Sequence, residues 1–161
     1  MECRRFEINL ISASDLKNVR EIFKMKVYAV ISIMGDSQTE KRTPVDKINE
    51  TNPVWNFNIK YTVGKKTLQN EEVKLVIKLY CERSLGDRYI GEVQTSIKQL
   101  YDHADPDGGS VIRSYPVQRD SATSQGELKL SCSFGETVTI QPPSTWKKIL
   151  VVGTLDYACG S

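Results

Sequence analysis

Through about residue 135 of the chain, apolar side chains return at every second position. Phe6, Ile8 and Leu10 alternate with Glu7 and Asn9, and Val27, Ala29, Ile31 and Ile33 repeat the pattern before the Gly35-Asp36 turn. A period of two sends successive side chains to opposite faces of a strand, so each such segment is predicted to bury one face and wet the other. The alternation recurs in WNFNIKYTV at 55–63, which follows the turn signal Asn52-Pro53. In VKLVIKLYC at 73–81, Val73, Leu75, Ile77 and Leu79 share a face opposite Lys74, Val76, Lys78 and Tyr80. YIGEVQTSI at 89–97, SVIRSYPVQ at 110–118 and ELKLSCSF at 127–134 complete the longer strands, and QTEKRT at 38–43 reads as a charged edge. Gly91 inside a strand predicts a bulge or a close backbone approach. Only IKQLYDHA, before the breaker DPDGG, suggests a short helical turn.

Eight short strands divided by Gly, Pro, Asn and Asp turns, with no long amphipathic helix for parallel crossovers, predict an all-β chain. One dry face per sheet points to an antiparallel sandwich of two sheets. The pattern changes after Phe134. Residues 1–136 are therefore taken as one β-sandwich domain and 137–161 as a C-terminal tail, flexible or interfacial, stiffened by Pro142-Pro143. Within the tail, Trp146, Lys147, Lys148, Ile149, Leu150, Val151 and Val152 form a candidate membrane-interface segment, and Cys159 a candidate acyl acceptor.

Composition narrows the classes. The 161 residues suffice for a core without disulfides or a structural metal. The 22 Lys and Arg are nearly balanced by 20 Asp and Glu, which argues against a globally basic nucleic-acid binder. Four cysteines without CxxC spacing read as free thiols of a reducing cytosol. The opening MECRRFEINL has no apolar signal core, and the longest purely apolar run, 149–152, falls far short of the ~20 residues that cross a bilayer. A cytoplasmic protein is expected, with any membrane contact peripheral.

Against that balance, REIFKMKVYAVISI at 20–33 stands out. Arg20, Lys24 and Lys26 precede a strand, with Ile22, Phe23 and Met25 set between them. Solvation explains cations in a loop but not the large apolar groups beside them.

FEINLISASDLK followed by VYAVISI, the TNPVWNFNIKY element at 51–61 and LYCERSLGDRYIGEV at 79–93 resemble the C2 domain family, over residues 4 to about 135. They correspond to the family's two opening strands, its "NPVWNE" turn and its third loop leading into "IGE". The short loops and LGDRYIGEV are most similar to small single-domain plant C2 proteins of the cold- and defence-responsive type. The resemblance implies an eight-stranded two-sheet Greek-key sandwich and a role in stress or defence signalling. It also implies that one end of the sandwich is functional. There, in calcium-dependent members, five loop aspartates hold calcium, which attracts anionic headgroups.

This sequence departs from that pattern. The alignment of KVYAVI with the family's "DPYVKV" puts Lys26 at the second aspartate of loop 1 and Arg20 at the first. In loop 3, Cys81 and Arg83 replace the next two, and the fifth falls near Asp87 or Arg88. At most one carboxylate survives, and cations there oppose calcium by Coulomb repulsion. No bound metal or other cofactor is expected. Fixed cations at Arg20, Lys24, Lys26, Arg83 and Arg88 would instead meet an anionic membrane surface, with Ile22, Phe23, Met25 and Leu85 inserting at the headgroup boundary. The alternative is that Phe23 or Met25 caps the core beneath the loop.

Lys41, Arg42, Lys47, Lys60, Lys74 and Lys78 form a candidate second basic patch on a sheet face, as in family members that bind phosphoinositides through a lysine-rich strand pair; a solvated face is the competing account. Trp55 is expected to pack into the sandwich. The loop YDHADPDGG at 101–109 is taken as a turn, because the twelfth position counted from Asp105 is Pro116 where an EF-hand needs glutamate. The single histidine, His103, lies in that loop, and no G-x-S-x-G, P-loop or H-E-x-x-H motif is present, so no enzyme is expected. The sequence thus predicts a calcium-independent peripheral module for anionic phospholipid. Its alternative is a protein-interaction adaptor that holds another membrane-associated protein.

Overall fold

The computed structural model describes residues 2–139, 147–151 and 154–160, the last two segments as backbone only. The expected alternation becomes eight antiparallel strands: β1 (Glu2–Ser14), β2 (Val27–Ile33), β3 (Lys41–Arg42), β4 (Val54–Gly64), β5 (Lys74–Cys81), β6 (Arg88–Ser96), β7 (Val111–Gln118) and β8 (Ser124–Thr139). The one α-helix among the described residues, α1 (Ile97–Asp102), starts where the Ser96 side chain accepts a bond from the Gln99 amide, a serine N-cap.

The strands run in the order β3-β2-β5-β6-β7-β8-β1-β4. Between β6 and β7 the ladder thins to a single pair, Glu92 with Gln118, and there the sheet divides into the two layers of the sandwich. Gly91 makes that junction possible: a Cβ on it would lie 2.6 Å from Val117 Cγ1 and 2.7 Å from the Gln118 carbonyl oxygen. The β5–β6 ladder also shifts register beside it, between Leu79 and Tyr80. Both expectations for this glycine are met.

The dry faces form one core. Ile31, Ile77 and Leu79 of one layer pack with Phe6, Ile8 and Leu130 of the other, all fully buried. Each such side chain contributes about 1.5–3 kcal/mol through burial. Two bulges in β1, at Arg4/Phe6 and Leu10/Ser12, reset its alternation, so that Cys3 and Ala13 also point inward. Cys3, Cys81 and Cys132 are buried. Trp55 is half-buried against the core, and its Nε1–H donates to the Val27 carbonyl at 3.1 Å.

β8 runs past the expected boundary at 136 to Thr139, and two further strands, β9 (Lys147–Val151) and β10 (Thr154–Gly160), extend the sheet beyond β4 through pairs such as Ala158 with Val63. Backbone of the segment taken as a tail is thus partly strand. Trp146 and Val152 lie outside the described residues, as do the side chains of 147–151 and of Cys159.

Gly91→Ala forces backbone at the layer junction to move. A loss of about 1–3 kcal/mol is expected, measured as a lowered urea midpoint at unchanged slope; an unchanged midpoint would refute the close-approach account.

Candidate functional site

Register decides what gathers at one end of the sandwich. Cys81, the last residue of β5, pairs with Val27, the first of β2, and with Arg88, the first of β6. The β1–β2 loop (15–26) and the β5–β6 loop (82–87) therefore emerge side by side, tied by the Glu82 amide donating to the Lys26 carbonyl at 2.7 Å.

The longer loop is pinned at both ends by buried Leu16 and Met25, and its middle stands clear: Ile22 is 87% exposed and Phe23 67%. The Arg20 guanidinium lies over the Phe23 ring, 4.9 Å from its centroid, and donates to the carbonyls of Lys24 (3.3 Å) and Glu82 (3.5 Å). In the shorter loop, Gly86 at φ +111° closes a turn with its amide on the Arg83 carbonyl, leaving Leu85 91% exposed. Arg88 reaches back to donate to the Val19 carbonyl at 3.1 Å. Between the loops lies an open depression of about 390 Å³, lined by Arg20, Arg83 and Arg88 together with Ile22, Phe23 and Leu85. Glu21 also lines it and subtracts one charge.

Six of the nine expected loop residues thus come together. Lys24 is exposed and Lys26 half-buried, both on the same loop but outside the lining. Met25 is a correction: it is 0% exposed and belongs to the core. It sits two residues before Val27, so its side chain already follows the inward alternation of β2 and cannot insert into anything outside. The two apolar residues of the alternative therefore divide, Met25 capping the core and Phe23 projecting from the tip.

Of the positions aligned with calcium-binding aspartates, Cys81 points into the core and Arg20, Lys26 and Arg83 are cationic. Asp87 is engaged. Its carboxylate accepts from the Tyr28 hydroxyl at 2.5 Å and the Arg83 amide at 3.1 Å, and stands 3.8 Å from Arg42. The Tyr28 bond, the Arg83 bond and the Arg42 charge hold this carboxyl below its ordinary range despite partial desolvation. Tyr28 responds oppositely: burial, then the bond to Asp87, push its hydroxyl up to about 12. Asp46, in the neighbouring β3–β4 loop, is likewise occupied. Partial burial would raise its pKa, but bonds from Asn49, Val54 and Ile48 bring it down to about 2. Among the described residues, no three His, Cys, Asp or Glu side chains are grouped to hold a metal ion.

The candidate sheet patch does not form as one surface. Arg42 and Lys78 flank Val30 in one row, and Lys74 follows on the same outward face of β5. Lys41 pairs with core-facing Ile31 and so takes the other face of β3, while Lys47 stands on the β3–β4 loop. Lys60 belongs to the opposite layer, 3.6 Å from Glu7, its cross-strand partner. Six cations distributed over two layers and a loop cannot meet one ligand.

The sequence reading missed an aromatic group beside the site. Tyr28 stacks on Tyr80 at 5.6 Å, Tyr80 meets Tyr89 edge-on at 5.8 Å, and the Arg42 guanidinium lies 3.8 Å from the Tyr28 centroid. The outward parity of Tyr28 and Tyr80 was legible; their adjacency needs the β2–β5 register. Elsewhere the turn reading of 101–109 fits the geometry, with the Asp105 carboxylate accepting from the Asp107 amide at 2.8 Å. His103 is exposed and its Nδ1 lies 2.9 Å from the Gln99 carbonyl.

Residues 4–111 match the C2 domain family, and the chain belongs to it. It is 38% identical over 149 residues to Protein SRC2 of Glycine max, covering 91% of this chain and 51% of that protein. To the Protein SRC2 homolog of Arabidopsis thaliana it is 38% identical over 140 residues, 86% of this chain and 43% of that protein. The chain thus spans about half the length of these relatives. Among solved structures, a C2 domain of plant Extended Synaptotagmin 1 superposes with a TM-score of 0.67 at 17% identity, over 81% of this chain and 93% of that one. That likeness concerns the sandwich. Among the described residues no helix is long and apolar enough to cross a membrane.

Asp87→Ala removes the acceptor that shapes the shorter loop. The Arg83 amide is expected to exchange with solvent faster in the variant, followed by hydrogen exchange; equal rates would show that the turn holds without Asp87. The sign with pH follows from a depressed carboxyl. The ordering is complete above the ordinary value of 3.8 and is lost as pH falls through the lower folded value.

Proposed function

We propose that the chain is a non-enzymatic peripheral membrane module that docks its loop end on anionic phospholipid without calcium. The observation that carries this reading is the convergence of Arg20, Arg83 and Arg88 on one depression rimmed by exposed Ile22, Phe23 and Leu85. Each cation near an anionic surface contributes about 1 kcal/mol. Full burial of a large apolar side chain adds roughly 1.5–3 kcal/mol, so even partial insertion matters. Lys24 and Lys26 lie on the same loop and add to the field. The side chains expected to insert are the three that already stand exposed at the tip, so docking needs no core residue to leave its place. The engaged Asp87 supports calcium independence, because a metal would have to displace two hydrogen-bond donors and an ion pair to Arg42, and sit among guanidiniums.

Sedimentation with phosphatidylserine-containing vesicles, with and without chelator, tests both halves. Binding is expected to persist in chelator and to weaken steeply with salt as the Debye length shrinks. Arg20→Glu with Arg83→Glu should reduce affinity at least about tenfold. Ile22→Ala, Phe23→Ala and Leu85→Ala together should remove what binding survives high salt. Binding that needs calcium would overturn the reading, and absence of binding to any anionic vesicle would favour the adaptor alternative.

A further inference from the structure

Resting on that membrane reading, we propose that the depression between the two loops is a receptor for a phosphate monoester. The lining separates the two kinds of cation on these loops: all three of its positive residues are arginines, whereas Lys24 and Lys26 fall outside it. A lysine attracts an anionic surface as a point charge; an arginine grips a phosphate through a planar fork of N–H donors. Two of the three guanidiniums are already placed by backbone. Arg20 is held by the Lys24 and Glu82 carbonyls and stacked on Phe23, and Arg88 by the Val19 carbonyl. These bonds use part of each fork and leave other N–H groups for a ligand, so little side-chain freedom remains to be lost on binding. Among the described residues the Arg83 guanidinium has no hydrogen-bond or ion-pair partner.

Three forks around one depression match a group with three free oxygens and a second ionisation near pH 6, which a phosphate monoester has. A diester headgroup has two free oxygens, one charge and a substituent on either side. Glu21, in the same lining, opposes a headgroup carrying its own carboxylate. The phosphate monoester of phosphatidic acid, or of a soluble phosphorylated molecule, carries this chemistry.

Vesicles of phosphatidic acid and of phosphatidylglycerol, matched in acyl chains and surface potential, separate recognition from charge. About tenfold tighter binding to phosphatidic acid is expected, one extra charge-assisted fork being worth about that ratio. Arg83→Lys with Arg88→Lys should collapse the ratio toward one. In parallel, glycerol 3-phosphate should give saturable amide shifts at residues 20–23 and 83–88 in the full chain. Equal binding to the two lipids, or a ratio that survives in the lysine variant, overturns the proposal while leaving the membrane reading in place. Shifts with glycerol 3-phosphate but no vesicle binding would support the receptor and overturn the membrane reading, the ligand then being soluble. Neither shifts nor vesicle binding overturns both.

Discussion

Cys81 is paired on one side with Val27 and on the other with Arg88, and this three-strand register governs the geometry of the loop end. A slip of one residue in either ladder would exchange the faces of β2 or β6. Ile31 would then turn outward with the rest of its row, and Tyr28 would lose both its stack on Tyr80 and its bond to Asp87. The core thus enforces the register, and the register carries the loops. Arg20 can reach Glu82, and Arg88 can reach Val19, only because the two loops leave adjacent strands at the same level.

What the sequence showed, and what it hid, follows from the same division. Strand alternation is a local property, so the sandwich, the inward face of β5 and the helical turn at Ile97–Asp102 were all visible in the order of residues. The exposed tip was visible too, since Ile22 and Leu85 lie mid-loop, remote from either strand end. Met25 was not, because although it continues the row of Val27 and Ala29, nothing local says that the alternation of β2 extends past Lys26 into the loop. The basic patch failed for a different reason: Lys60 and Lys78 both face outward on their own strands, but nothing local says that β4 and β5 lie in opposite layers. The tyrosine stack and the placement of Arg42 over Tyr28 likewise depend on pairing between distant segments.

Arg42 illustrates how one cation can be withdrawn from solution chemistry. It sits over an aromatic face and beside the Asp87 carboxylate, so its charge is already matched within the fold. The arginines of the depression differ, because Arg20 and Arg88 donate to neutral carbonyls, which orient a guanidinium without cancelling its charge. Charge that is fixed but unneutralised is what an anionic partner requires, and on this ground the loop end is preferred over the outward face of β2, β3 and β5.

A metal ion between two loops does two things: it supplies charge, and it cross-links backbone that would otherwise move. In this chain, hydrogen bonds of the polypeptide itself join the two loops. The Glu82 amide joins the loops at Lys26, Arg20 joins them at Glu82, Arg88 joins them at Val19, and Asp87 fastens the turn to Tyr28 on β2. Each is a modest bond, worth about 0.5–1.5 kcal/mol when neutral and more when one partner is charged. Together they span the gap from several directions, so the loops are shaped by the fold itself. Loop order and surface charge are then both intrinsic to the polypeptide, and in the proposed function attachment would respond to the composition of the membrane and to ionic strength, with no step in which an ion must first arrive.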